Sequence, residues 1–225
     1  MLDASKGYMK DGNKNRLRSQ DLHKIVDVFT RQLELPRYAR MVSFAEIETN
    51  DFNLNIPRYI DSSEPEDLHD LSAHLNGGIP NRDIDALDNY WQVFPTLRPV
   101  LFKANGRKGY SDACVAAPEV KATILLRPEF AEFSKRVLAI FNAWRATHLP
   151  TLRGLKIGAD PKTLIHKLSE ALLEGFSKAA LVDNYDVYQH LMDYWAEVMQ
   201  DDIYVIAQDG WLEAAKLRAI VEEKE

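Results

Sequence analysis

The amino-acid sequence predicts a mainly α-helical protein with a small β component: a short α/β segment over residues 1–61 and a helical region over residues 62–225. Three observations predict it. Apolar residues recur at helical spacing in most windows after residue 62. Ser, Asp and Pro stand where such helices would start, and Gly or Pro where they would stop. Runs of strand character are few and short, namely Arg40 to Ser43, Phe52 to Ile56 and Ile203 to Ile206.

In order along the chain, Gly7, Gly12, Asn13 and Asn15 predict a loop, because glycine and asparagine reach positive φ cheaply. Ser19 is the expected cap of a helix whose Leu22, Ile25, Val26, Phe29 and Leu33 share a face, ended by Pro36. A short strand at 40–43 follows, and Ser43 with Glu46 has the spacing of a capping box on a one- or two-turn helix. Alternation at Phe52, Leu54 and Ile56 before Pro57 predicts an edge strand, since proline offers no amide hydrogen to a central ladder.

Pro65 opens an amphipathic helix with Leu68, Leu71 and Leu75, stopped by Gly77-Gly78. Asn81 or Asp83 begins another, burying Ile84, Leu87, Tyr90 and Trp91 as far as Pro95. Residues 103–117 carry Gly106, Gly109 and three cations, and are expected to be a mobile loop. From Pro128 a long helix lines up Phe130, Phe133, Val137, Ile140, Phe141 and Trp144 and should end near Thr147. Asp160-Pro161 starts a helix with Leu164, Ile165, Leu168, Leu172 and Phe176. Asp183 caps a helix in which Val187, Leu191, Tyr194, Trp195 and Val198 share a face; the β-branched burst near 203–207 then reads as a strand, and Leu212 to Glu223 as a last helix.

The 225 residues suffice for a sizeable core, and 46% hydrophobic with 28% charged residues is the composition of an ordinary globular protein. No apolar run approaches the roughly 18 residues of a membrane helix, and no signal peptide precedes the charged start. One cysteine, Cys114, excludes an internal disulfide and fits a cytoplasmic location. The net charge of -6 argues against a surface basic throughout. Cations are nonetheless concentrated at Lys6, Lys10, Lys14, Arg16 and Arg18, while acidic residues collect later.

Three stretches carry a family resemblance: Leu2-Asp3-Ala4-Ser5-Lys6-Gly7-Tyr8, the segment 53–59 (Asn-Leu-Asn-Ile-Pro-Arg-Tyr), and the aromatic, acidic helix of 185–209. They resemble the modification subunit of type I restriction-modification systems, a DNA adenine methyltransferase, and the resemblance extends from residue 2 to about 211. It implies that residues 1–61 are the tail of a Rossmann-like α/β methyltransferase domain and that the rest is a helical region. A parent subunit of this kind uses S-adenosylmethionine, modifies duplex DNA, and assembles with a specificity subunit and a restriction subunit.

The chemistry of methyl transfer is absent from these residues. No glycine-rich turn follows a strand to cradle the cofactor, and there is no Pro-Pro pair from which to build an Asn-Pro-Pro-aromatic loop for a flipped adenine. In the family both motifs precede the part resembled here. The expectation is therefore a later, non-catalytic part of the subunit that needs no cofactor of its own.

Asn13, Lys14, Asn15, Arg16 and Arg18 join flexible backbone to amide and cationic donors just before a helix, which suits phosphate oxygens. A solvated surface loop is the alternative. Lys103, Arg107 and Lys108 form a weaker patch of the same kind. Tyr188, Tyr194, Trp195 and Trp211 are candidates for a partner interface, with base stacking as the other use of such residues and core packing as the plain one. His190 with Asp186, Asp193 and Glu197 has helical spacing for a metal or for acid-base work but lacks a second imidazole or thiolate. Beside the methyltransferase reading stand two others: an independent helical adaptor without DNA binding, and a metal hydrolase centred on His190.

Overall fold

The computed structural model describes residues 1–63 and 69–216, and the described chain is mainly helical with two small sheets. These residues group into two compact units. One holds residues 1–63, 144–177 and 182–216; the other holds 69–143 with 178–181.

The first unit opens with a hairpin instead of a loop. β1 (Met9–Asp11) pairs antiparallel with β2 (Lys14–Arg16), and Gly12 at φ +59° takes the first turn position, which glycine favours in two-residue hairpins. Asp11-Gly12-Asn13 was the signal for it. α1 (Ser19–Thr30) follows, but Arg18 rather than Ser19 is its N-cap. The capping is done by Asp21, whose carboxylate accepts from the Arg18 amide at 2.8 Å and from the guanidinium at 2.9 and 3.0 Å.

The expected strand at 40–43 is absent. Its place is taken by single antiparallel bridges of Ala39 to Leu2 and to Leu35, with the Asp3 amide donating to the Tyr38 carbonyl at 2.7 Å. Ser43 does cap α2 (Phe44–Thr49), accepting from the Glu46 amide. The expected edge strand at 52–56 is likewise absent, because Asp51 and Phe52 both turn to positive φ and Ile56–Arg58 winds into a 3₁₀ turn. No Rossmann-like sheet is present among the described residues.

Near the centre of this unit, α9 (Pro161–Phe176) buries Leu164, Leu168, Leu172, Leu173 and Phe176, with Asp160 capping its start. It packs on α10 (Asn184–Tyr194), capped by Asp183. The chain then continues through a π-helical turn, Trp195–Met199, into α11 (Gln200–Asp209). The strand expected near 203–207 is thus a helix. Ile203 and Ile206 are buried at i, i+3 spacing, so this β-branched run serves a helix face. α12 (Trp211–Ala214) replaces the start of the last expected helix, whose remainder from residue 217 lies outside the described residues.

The helix from Pro128, here α8 (Pro128–Arg153), runs past Thr147 and holds Pro150 within its final turn. Its end is fastened by the Trp144 indole, which donates to the Leu168 carbonyl at 3.0 Å, and by buried His148.

In the second unit the helix expected from Pro65 falls partly on residues 64–68, outside the described residues; α3 (Leu71–Asn76) is capped by Asp70, which accepts from the Ala73 amide. The single helix expected as far as Pro95 is divided into α4 (Asn81–Asp85) and α5 (Asp88–Val93), before α6 (Leu97–Leu101). The expected mobile loop at 103–117 is instead a β-hairpin, its strands joined by a turn at 105–109. β5 (Tyr110–Ala113) lies between β3 (Ile79–Pro80) and β4 (Phe102–Ala104), both antiparallel to it. After a 3₁₀ turn, Ala117–Glu119, α7 (Val120–Leu125) leads to α8. The core here is Phe94, Leu97 and Leu101, with Phe130 and Phe133 of α8 packed against them.

Candidate nucleic-acid and partner interface

The hairpin decides where the first cationic group lies. Asn13 occupies the turn and Lys14 the strand end, and both are exposed to solvent. Asn15 accepts from the Lys10 ammonium at 2.8 Å, which holds two more donors on the same ribbon. Arg16 lies 3.3 Å from Asp11 and donates to Met9 Sδ, while Arg18 is tied to Asp21. The paired Arg18 guanidinium holds the Asp21 carboxyl below the usual range although Asp21 is buried. The five residues therefore separate into an open tip, Asn13 to Asn15, and two arginines already engaged.

Lys103, Arg107 and Lys108 lie in the second unit, on β4 and on the turn between β4 and β5. Lys103 and Lys108 are exposed. Arg107 is a clamp: it donates to the Gly77 carbonyl at 2.6 Å and the Ser72 hydroxyl at 2.7 Å, and its guanidinium lies 4.0 Å from the Tyr110 ring centroid. This fastening, invisible in a stretch rich in glycine and cations, holds the turn that joins β4 to β5.

The aromatic candidates also divide. Tyr188 and Trp195 are buried, Tyr188 stacking on His23 with centroids 4.6 Å apart. Tyr194 is 53% and Trp211 48% exposed, and the Trp211 indole donates to the Leu155 carbonyl at 2.9 Å. The buried face of α10 is Tyr185, Tyr188 and Leu191, whereas Tyr194 and, in the π turn, Val198 face outward. The expected shared face was drawn one step round the helix, and the π turn shifts the phase again.

Sequence reasoning missed the way α1 is held. Its polar side packs on α10: the Gln20 amide donates to Gln189 Oε1 at 2.9 Å, and Gln20 Nε2 donates to Asp186 Oδ1 at 2.7 Å. Tyr185 donates its hydroxyl to Asp27 at 2.8 Å. Burial, then Asp27 beside it, pushes the Tyr185 phenol well above its ordinary range. The expected apolar face is the outer one, with Leu22 at 52%, Val26 at 62% and Phe29 at 78% exposure.

Arg16 and Arg18 reach the rim of a cleft of about 910 Å³ within the first unit. Its walls are the hairpin, the start of α1, the start of α9 and the π turn, so it joins the hairpin cations to Trp195. Asp193 and Glu197 line it as well. Two of the three carboxylates that share helical spacing with His190 are engaged elsewhere: Asp186 holds Gln20, and Asp193 accepts from Gln189 at 2.7 Å. Among the described residues no group of three or more His, Cys, Asp or Glu is placed to hold a metal ion. No helix among them is long and apolar enough to cross a membrane.

The segment that holds the hairpin and α1 has recognisable relatives. Residues 1–68 match the model of the N-6 DNA methylase family. More particularly, the chain is 36% identical over 61 residues to the type I restriction enzyme MjaVII methylase subunit of Methanocaldococcus jannaschii. Those 61 residues are 27% of this chain and 11% of that relative's length. The resemblance to type I modification subunits is thus borne out over a part of the sequence. No solved structure matches the chain.

Proposed function

We propose that this polypeptide is a non-catalytic portion of a type I restriction-modification adenine methyltransferase, serving contacts with DNA and with the specificity subunit. The observation that carries the reading is the match of residues 1–68 to N-6 DNA methylases, since that segment includes the hairpin and α1. The whole subunit would transfer a methyl group from S-adenosylmethionine to the adenine amino group, with the restriction subunit joining the assembly. This portion would use no cofactor of its own, and it would act in the cytoplasm.

The hairpin tip supplies the DNA contact. Lys14 and the amides of Asn13 and Asn15 are donors matched to phosphate oxygens, which take half to two-thirds of protein–DNA hydrogen bonds. Arg16 and Arg18 add positive potential behind them, and Lys103, Arg107 and Lys108 supply a second patch. Tyr194 and Trp211, aromatic and half exposed, supply anchors for the specificity subunit.

Fluorescence anisotropy with a duplex oligonucleotide tests the DNA contact. Binding should weaken steeply as salt rises, and Lys14→Glu should lower affinity roughly three- to tenfold while flattening the salt slope. Absence of binding at low salt would instead support the protein-only adaptor, a reading that the exposed Tyr194 and Trp211 also favour. Methyl transfer from a labelled donor to DNA by the isolated chain would overturn the non-catalytic assignment.

A further inference from the structure

The second unit strings its elements in the order of a winged helix-turn-helix: α3, β3, the divided helix α4 and α5, then α6, β4 and β5. A turn of three residues, 94–96, joins α5 to α6, the length usual between the two helices of such a motif. Phe94 in that turn is buried with Leu97 and Leu101 of α6. The strand order β3-β5-β4, antiparallel throughout, puts the last strand in the middle and makes the β4–β5 hairpin the wing. We infer, on the reading of the chain as part of a DNA methyltransferase, that this unit touches duplex DNA through the tip of the wing and not through α6. Within the second cationic patch, Lys108 is then the phosphate-binding group and Arg107 a positioning residue.

Topology does not choose a ligand; the chemistry of the tip does. The turn at 105–109 is Asn-Gly-Arg-Lys-Gly, with two cations and no carboxylate. Three of its acceptors are already used. Asn105 Oδ1 accepts from the Arg107 amide at 3.0 Å, the Arg107 carbonyl from the Tyr110 amide at 3.2 Å, and the Gly109 carbonyl from the Asn81 amide at 2.8 Å. Arg107 is turned back onto Gly77, Ser72 and the Tyr110 ring, so it holds the tip in shape without reaching a ligand. Tyr110 is anchored in turn, its hydroxyl donating to Asp70 at 3.1 Å. Lys103 has Asp112 opposite it in the ladder, which offsets its charge. The exposed Lys108 ammonium remains, on a turn fixed before any ligand arrives, and such a group suits phosphate oxygens.

The second helix of a helix-turn-helix ordinarily enters the major groove, and α6 is unsuited to that task. It has five residues, about 7.5 Å of helix. The two cations of α4 to α6 are both paired, Arg82 with Asp70 and Asp83, and Arg98 with Asp85. A helix pair that carries its own counter-charges gives phosphates little to bind. A contact made by the wing alone engages the backbone of the duplex, so it carries no base readout and its affinity should be independent of sequence.

Fluorescence anisotropy of the whole chain with duplex oligonucleotides of two unrelated sequences tests the assignment. Lys108→Glu should lower affinity roughly three- to tenfold and reduce the salt slope by about one, with Lys108→Gln between it and the wild type. Arg98→Ala should change affinity by less than about twofold, and the two duplexes should bind within about threefold of each other. Circular dichroism should be unchanged in all three variants. Binding that Lys14→Glu weakens and Lys108→Glu leaves intact would overturn the wing contact while the proposed function stands. An effect of Arg98→Ala as large as that of Lys108→Glu, or a difference above about tenfold between the two sequences, would overturn it in favour of α6. Absence of binding at low salt would overturn both the wing contact and the DNA reading on which it rests.

Discussion

Tyr185→Phe isolates the interaction that joins α1 to α10. The ring is 9% exposed and its burial survives the substitution, so the change reduces to loss of one hydroxyl that donates to Asp27 at 2.8 Å. A hydrogen bond to a charged acceptor contributes about 1.5–3 kcal/mol, and leaving the acceptor unsatisfied adds to the cost. Asp27 keeps Arg31 at 3.3 Å, which offsets part of that penalty. The expected destabilisation is about 2 kcal/mol. For a chain of this size that lowers the melting temperature by about 4–8 °C. Tryptophan fluorescence is a suitable probe in urea unfolding, because Trp144, Trp195 and Trp211 all lie in the first unit. The pH dependence gives a second reading. A phenol whose folded pKa is raised contributes stability that is fully present below the unfolded value near 10 and is lost as pH climbs beyond it. Burial also raises Tyr188 and Tyr38, so alkaline loss should persist in Tyr185→Phe but with a shallower slope. A destabilisation below about 0.5 kcal/mol, the scale of a surface substitution, together with an unchanged alkaline slope, would refute the reasoning.

Arg107→Ala should cost about 1 kcal/mol and speed amide exchange between Asn105 and Tyr110, since two donated hydrogen bonds and the Tyr110 ring contact are lost together. Gly78→Ala should destabilise the same sheet by more than Gly158→Ala does its own turn: both have φ +85°, but a Cβ at Gly78 meets the Asn105 amide and Tyr110 Cβ at 3.3 Å, whereas at Gly158 nothing lies within 4 Å. Thermal denaturation of the two variants makes the comparison. Burial, then Lys167, lowers the His148 pKa, so its contribution is present above the unfolded value near 6.5 and is lost as pH falls. The melting temperature should therefore decline from about pH 6.5 toward pH 5, and His148→Gln should flatten that decline.

What was legible in the sequence was whatever depended on short-range rules. Asp160 and Asp183 cap the helices expected of them, Ser43 caps α2, and the spacing of Leu164, Leu168, Leu172 and Phe176 gave the buried face of α9. The failures have a common cause in contacts distant along the chain. Residues 103–117 looked loose because glycine and cations dominate them, yet Arg107 reaches back 30 and 35 positions to fix the turn. Ile203 to Ile206 are β-branched and few, so propensity favoured a strand; two of the four are buried in a helix continuous with the π turn, and burial outweighs a preference of about 1 kcal/mol. In the candidate site, the identity of the cations was readable but their partners were not. That Asp21 would hold Arg18, or Asp11 lie beside Arg16, depends on a hairpin the Gly12-Asn13 turn only hinted at.

α1 shows how a correct period leaves the packing partner of a helix undetermined. Its apolar residues do share one side, as their spacing predicts, and Leu22, Val26 and Phe29 on that side are exposed. The packed side mixes polar and apolar groups, with Gln20, Asp21 and Val28 buried and His23 stacked on Tyr188. Hydrogen bonds to charged groups are directional, so this side fixes the rotation of α1 against α10. The rotation in turn dictates that Leu22, Val26 and Phe29 point outward and that Leu22 opens onto the cleft. Breaking a bond on the packed side should therefore loosen α1 as a whole. In Tyr185→Phe, amide exchange in α1 should be faster than in the wild type, because one of the side-chain bonds that hold this helix to α10 is lost.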